Sequence, residues 1–114
     1  MAKVEIVRSL FEDIKKKFMG ESHEIIDLME SLENNPTKGK LLGSIGGVVI
    51  KELKYKSFRF YFITDGYKLK FYDEQMLADV LIRFIRMSNK KYQQKTIDEI
   101  KKILVNFGPI GFNE

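Results

Sequence analysis

Apolar positions change period along this chain, and the changes mark its elements. Val4 and Ile6 alternate with polar neighbours, which predicts a short edge strand. Leu10, Phe11, Ile14 and Phe18 then recur at helical spacing, with Ser9 and Glu12 reading as a capping box. Lys15, Lys16 and Lys17 fall on the polar side, and Gly20 breaks the helix. Ile25, Ile26, Met29 and Leu32 predict a second helix opened by Ser22, and the turn-rich stretch 34–39 closes it. These two helices read as a hairpin.

Gly43, Gly46 and Gly47 follow. Their spacing fits neither a dinucleotide fingerprint nor a Walker motif, so the stretch reads as a flexible or tightly turning connector. Strand patterns then cover about 48–56 and 58–64, and Asp65-Gly66 predicts a hairpin into a strand at 67–72. The stretch 75–86 suits either a helix or a strand; a strand over about 79–87 is preferred. Thr96 and Glu99 read as a second capping box, Ile97, Ile100, Ile103, Leu104 and Phe107 form an apolar stripe, and Gly108-Pro109 ends the last helix. The order predicts one α+β domain over residues 1–114: an N-terminal strand and helical hairpin packed on a curved antiparallel sheet, with a C-terminal helix. The helices are expected on one sheet face.

Composition narrows the function. The 114 residues are 44% hydrophobic and include nine Phe, enough for a single globular core. No apolar run is long enough to span a bilayer, and the first residues lack a signal-peptide core, so the expectation is a cytoplasmic protein. Zero Cys and one His argue against disulfides and against a zinc site; no metal or cofactor is expected. His23, near a helix start, reads as structural.

Charge is uneven. Residues 1–47 carry 7 Lys and Arg against 8 Asp and Glu, whereas residues 48–114 carry 13 against 8. The excess interleaves with aromatics over 51–62. Phosphates attract Lys and Arg, and bases stack on aromatic rings, so the pattern points to nucleic acid. Strand alternation puts Phe58, Phe60 and Phe62 in one apolar row and Arg59 and Tyr61 on the other face. By the same rule Lys54, Lys56, Arg59, Tyr61 and Arg83 converge on one open face, bordered by Arg86, Lys90 and Lys91. Plainer roles exist for each: edge-strand protection for Lys54 and Lys56, pairing with Glu52 for Arg59, surface charge for Arg86, a solvated loop for Lys90, Lys91 and Lys95, and packing beside the last helix for Tyr92.

Several short motifs resemble the RelE/ParE-like toxin superfamily, in particular its phage-derived, HigB-like branch. Asn35-Pro36 precedes a Gly/Lys-rich loop. Lys51-Glu52-Leu53-Lys54, followed by Phe58-Arg59-Phe60-Tyr61-Phe62, is similar to the family's "ELR … yRilYf" strand pair. Phe84-Ile85-Arg86, then Lys90 to Thr96, is similar to its "F-x-KK-x-Q-K-T-P" segment, with either Arg86-Met87 or Lys90-Lys91 in the basic-pair register. Residues 65–78 read as an insertion.

The resemblance implies the toxin of a toxin–antitoxin pair: a metal-independent mRNA endoribonuclease, or mRNA interferase, that works at the ribosome and inhibits translation. It implies mRNA, the ribosome and a protein antitoxin as partners. The RNA 2′-OH attacks the adjacent phosphate, leaving 2′,3′-cyclic phosphate and 5′-OH ends. By matched position Lys54 is a base or phosphate contact, Arg59 a transition-state clamp, Arg86 a second clamp and Tyr92 a stacking or hydrogen-bonding group. Lys56, Tyr61, Arg83, Lys90, Lys91 and Lys95 would bind RNA. Two alternatives stay open, a gyrase-poisoning toxin of the ParE type and a non-catalytic RNA-binding relic.

Overall fold

A computed structural model describes residues 2–66 and 80–112. The elements run β1 (Lys3–Ile6), α1 (Arg8–Phe18), α2 (Ser22–Glu30), β2 (Lys40–Ile45), β3 (Val48–Tyr55), β4 (Phe58–Asp65), β5 (Leu81–Asn89) and α3 (Gln93–Phe107). The strands form one five-stranded sheet in the order β1-β5-β4-β3-β2. β2 to β5 pair antiparallel, and β1 joins β5 in parallel at the edge. The α+β class is that read from the sequence, and the N-terminal strand, the two helices, the later strands and the C-terminal helix follow in the expected order, with β2 added. The strand preferred over 79–87 is β5, and the predicted strand at 67–72 lies outside the described residues. No helix among the described residues is long and apolar enough to cross a membrane.

α1 and α2 cover one face of the sheet. Leu10, Ile14, Ile25 and Met29 are buried there, as helical spacing requires. Phe18 sets the contact at the end of α1: its ring meets Phe58 edge-on at 5.0 Å and lies 6.1 Å from Phe60. Phe62 packs on Phe84 at 4.9 Å. Burying each such ring stabilises the fold by about 2–3 kcal/mol. The predicted phenylalanine row is therefore core.

α3 lies on the opposite face, which corrects the expectation of helices on one side. Cross-strand partners share a face, so Leu53 with Phe60 and Tyr55 with Phe58 face α1. Alternation turns Glu52 and Tyr61 the other way, and Gln93 of α3 reaches Glu52 there. The stripe Ile97, Ile100 and Leu104 is buried against that face, while Phe107 is exposed. Both sides of β4 are thus covered, and residues 59–64 are buried without interruption.

Neither capping box forms as expected. α1 begins two residues earlier, with Val7 rather than Ser9 at its N-cap position and Arg8 bonded to Glu12 at 3.1 Å. In α2 the N-cap position is Glu21, and the Ser22 hydroxyl donates to the Met19 carbonyl. α3 begins at Gln93, three residues before Thr96, whose hydroxyl donates to the Tyr92 carbonyl inside the first turn. Glu99 instead faces Arg86.

The glycine stretch is a second correction. Residues 40–45 are a strand, and only Gly46-Gly47, both with positive φ, form the tight turn into β3. Gly43 carries no side chain to show the alternation, and the register slips between Leu41 and Gly43. Gly39, at φ 113°, has a separate reason to be glycine: a Cβ there would sit 2.7 Å from Phe62 Cζ.

Candidate nucleic-acid interface

Lys54 and Arg59 are directly opposed in the β3–β4 ladder. Like charges so placed repel, and no acidic residue separates them along that row, where Arg59 next faces Ser88. Lys54 is exposed, whereas Arg59 is only 9% exposed and donates to the Ser57 carbonyl at 3.2 Å. One row further in, Glu52 faces Tyr61, which faces Arg86. Lys54, Arg59 and Tyr61 therefore share a sheet face, as alternation predicts, and Arg86, expected only at its border, joins them through the irregularity in the β4–β5 ladder. The face is not open, because α3 lies over part of it.

A cleft of about 400 Å3 opens where that face meets the edge of the sheet. β2 starts opposite Glu52, so Leu53, Lys54 and Tyr55 run past it with no strand on that side. Lys38, Gly39, Lys40, Glu52, Lys54 and Arg59 line this notch, with Leu28 and Leu53 at its helix side. Four cations and one carboxylate thus surround one opening. Sequence reading missed Lys38, Lys40 and Glu52. The two lysines became lining residues only because 40–45 is a strand, and Glu52 carried no recognisable spacing to another acid.

Glu52 is buried and fixed. Gln93 Nε2 donates to its Oε2 at 3.2 Å, tying the start of α3 to β3. Beside it the Tyr61 hydroxyl pairs with Ser88 Oγ at 2.7 Å. Burial pushes the Tyr61 phenol above its usual value, with the Ser88 hydrogen bond acting against that rise. Tyr61 has no exposed surface, so its ring cannot stack on a base; it is a floor beneath the cleft residues rather than a contact.

The other predicted residues are dispersed around this centre. Arg86 is engaged by α3 and the segment after it: its Nε bonds Glu99 Oε1 at 3.0 Å and its guanidinium lies 5.3 Å from the Phe112 ring centroid. Arg83 shares the sheet face but sits two rows away and reaches the Pro109 carbonyl at 3.5 Å. Lys56 does not join the face, contrary to the alternation argument. β3 ends at Tyr55, Lys56 takes φ 54° in the turn, and its ammonium pairs with Glu21 beside α2. Lys90, Lys91 and Tyr92 form an exposed turn between β5 and α3, with Lys91 Nζ 5.5 Å from the Tyr92 ring centroid. That turn leads into Gln93, and Lys95 is exposed one residue beyond Gln94. Tyr92 is 48% exposed, so its ring is available to a partner. His23 is exposed in α2.

One cation on the helix side is buried. Lys51 Nζ donates to the Thr37 carbonyl at 2.7 Å and lies 5.9 Å from the Phe62 ring centroid. Burial holds its ammonium below the usual lysine value. It anchors the 37–39 crossing that forms one wall of the cleft.

Among the described residues no group of His, Cys, Asp and Glu could hold a metal ion. Comparison of the chain with family models, with curated proteins and with solved structures gave no match.

Proposed function

We propose that the cleft binds single-stranded RNA and that the chain is a metal-independent endoribonuclease acting as the toxin of a toxin–antitoxin pair. The observation that carries this reading is the direct opposition of Lys54 and Arg59, with Lys38 and Lys40 beside them. A polyanion threading the notch relieves their repulsion, which neither a neutral metabolite nor a hydrophobic ligand would do. The exposed Lys90–Tyr92 turn extends the same cationic surface from the Arg59 row and adds an aromatic ring for stacking.

The chemistry needs a base for the 2′-OH, cations for the crowded phosphate and an acid for the departing 5′-oxygen. Glu52 is the carboxylate that lines the cleft, and Gln93 holds its orientation. In this reading Glu52 takes the 2′-OH proton, and the new O–P bond forms as the bond to the 5′-oxygen breaks. Arg59 and Lys54 neutralise the non-bridging oxygens, and the Lys54 ammonium returns a proton to the leaving oxygen. The products are a 2′,3′-cyclic phosphate and a 5′-hydroxyl. Lys90, Lys91, Lys95 and Tyr92 hold the flanking RNA or the ribosome, where cleavage of mRNA stops translation, and the working compartment is the cytoplasm.

A second reading, RNA binding without cleavage, draws on Arg86. Its engagement by Glu99 and Phe112 leaves Arg59 as the one guanidinium lining the cleft. One experiment separates these readings. The protein is expressed from an inducible promoter while growth and RNA 5′ ends are followed, alongside Arg59→Ala and Glu52→Gln. Growth arrest with new 5′-hydroxyl ends, lost in both variants, supports the nuclease. Unaltered growth with no new ends removes the toxin. Double-strand DNA breaks without RNA fragments would point to gyrase.

A further inference from the structure

The cleft carries more positive charge than a passing strand of RNA needs. Lys38, Lys40, Lys54 and Arg59 surround it with Glu52 as the single carboxylate, and none of the four cations is in an ion pair among the described residues. Its volume of about 400 Å3 falls within the range of small-molecule sites, about 300–1,000 Å3. An opening of that size takes roughly one nucleotide of a strand, and each nucleotide of a strand brings a single negative charge. Cations crowded round one opening repel, and one diester offsets only part of that repulsion.

The walls are also of two kinds. Leu28, half-buried in α2, and the buried Leu53 of β3 form the helix side of the cleft, where they offer a phosphate nothing. A planar base can lie against them, because covering its faces removes apolar surface from water. Lys38 and Lys40 stand where the chain enters β2, whereas Lys54 and Arg59 oppose each other across β3 and β4. A ligand suited to both kinds of wall has an apolar ring at one end and several adjacent negative charges at the other. A nucleoside polyphosphate has this form: its charge is concentrated on neighbouring phosphates, which Lys and Arg bind through charge-assisted hydrogen bonds.

We propose that the cleft is a binding site for a free nucleoside di- or triphosphate. The base lies against Leu28 and Leu53, and the phosphate chain runs to Lys38, Lys40, Lys54 and Arg59, whose side chains neutralise it. Because this is the opening assigned to RNA, nucleotide and strand exclude each other, and the nucleotide level sets how much of the protein is open to RNA. That exclusion rests on the RNA reading; the nucleotide site itself does not.

The test is calorimetric titration of the full chain in EDTA with ATP, UTP, AMP, ribose 5-triphosphate (which lacks the base) and a trinucleotide bearing a 5′-triphosphate. ATP or UTP is expected to bind about tenfold or more tightly than AMP, for the added charge, and about fivefold or more tightly than ribose 5-triphosphate, for the base. Lys38→Ala and Lys54→Ala should each weaken ATP and ribose 5-triphosphate about threefold or more. Leu28→Ala should weaken ATP about fivefold and leave ribose 5-triphosphate unchanged, which also shows that the variant folds. The proposal is overturned if AMP or ribose 5-triphosphate binds as tightly as ATP, if either lysine variant keeps full ATP affinity, or if only the RNA-linked triphosphate binds. ATP is expected to displace a labelled single-stranded RNA. ATP binding with no RNA binding would uphold this site and remove the RNA reading, whereas ATP and RNA bound together would overturn the shared cleft.

Discussion

Tyr61 and Ser88 join neighbouring strands through a 2.7 Å hydroxyl pair in the interior, directly behind the cleft. Each hydroxyl satisfies the other, so removing one strands its partner. Tyr61→Phe and Ser88→Ala are each expected to cost about 1–2 kcal/mol in urea unfolding. The double variant should cost less than the two single costs combined, because no buried hydroxyl is then left unpaired. Strict additivity would show that the pair contributes nothing as a pair.

Lys54 offers the cleanest probe of the cleft, because it is exposed and in no ion pair among the described residues. Lys54→Ala should leave stability within about 0.5 kcal/mol of wild type. Affinity for single-stranded RNA should drop, and the slope of log affinity against log salt should shrink by about 0.7, the single-strand value per phosphate. An unchanged slope would place the phosphates elsewhere. Arg59→Ala removes a nearly buried side chain and so needs a melting curve beside every binding measurement.

Alkaline titration should separate two buried groups of opposite sign. Lys51 is held below its usual 10.5 by burial, so the unfolded chain keeps that proton longer than the folded one. Stability contributed at this site therefore rises with pH, from the lowered folded value up to 10.5. Tyr61 is pushed above its usual 10.0, so there the folded chain keeps the proton longer and stability falls as pH rises beyond 10. Lys51→Met should remove the rising component and Tyr61→Phe the falling one in denaturation midpoints measured between pH 8 and 11. Identical pH profiles for Lys51→Met and wild type would mean that Lys51 is solvated.

Gly39 should tolerate no side chain. Its φ of 113° and the 2.7 Å approach to Phe62 act together, so Gly39→Ala is expected to cost about 2 kcal/mol or more. The loss should appear in the thermal midpoint and in RNA affinity alike, since the 37–39 crossing walls the cleft. Gly20→Ala is the control: no atom lies within 4 Å of a Cβ there, and it should be near neutral.

Legibility in the sequence followed the physics of each segment. The phenylalanine row and the common face of Lys54 and Arg59 were readable because strand alternation is strict and both strands are regular. β2 was not, because Gly43 interrupts the pattern that marks a strand and the Gly46-Gly47 turn follows at once. Lys56 was placed on the wrong side by extending β3 one residue past its turn. Helix starts failed for a shared reason: Ser9, Ser22 and Thr96 sit within or at the opening of helices whose N-cap positions are Val7, Glu21 and Tyr92. Glu52 and Gln93 are 41 residues apart, and no local rule brings such a pair together. The side on which α3 docks was equally silent, since an apolar stripe says that a helix packs but not where.

The irregularity between Tyr61 and Phe62 in the β4–β5 ladder acts as a polarity switch. Phe62 opposes Phe84 and Tyr61 opposes Arg86, leaving Ile85 as the extra residue. That single insertion shifts β5 by half a pleat, so Arg86 and Ser88 emerge beside Tyr61 and Arg59 instead of beneath Phe60. Paired without this bulge, the same chain would put Ile85 opposite Tyr61, turn Met87 toward α3 and bury a guanidinium among the phenylalanines. The chemistry of this surface thus depends on one buried residue of β5 standing outside the ladder.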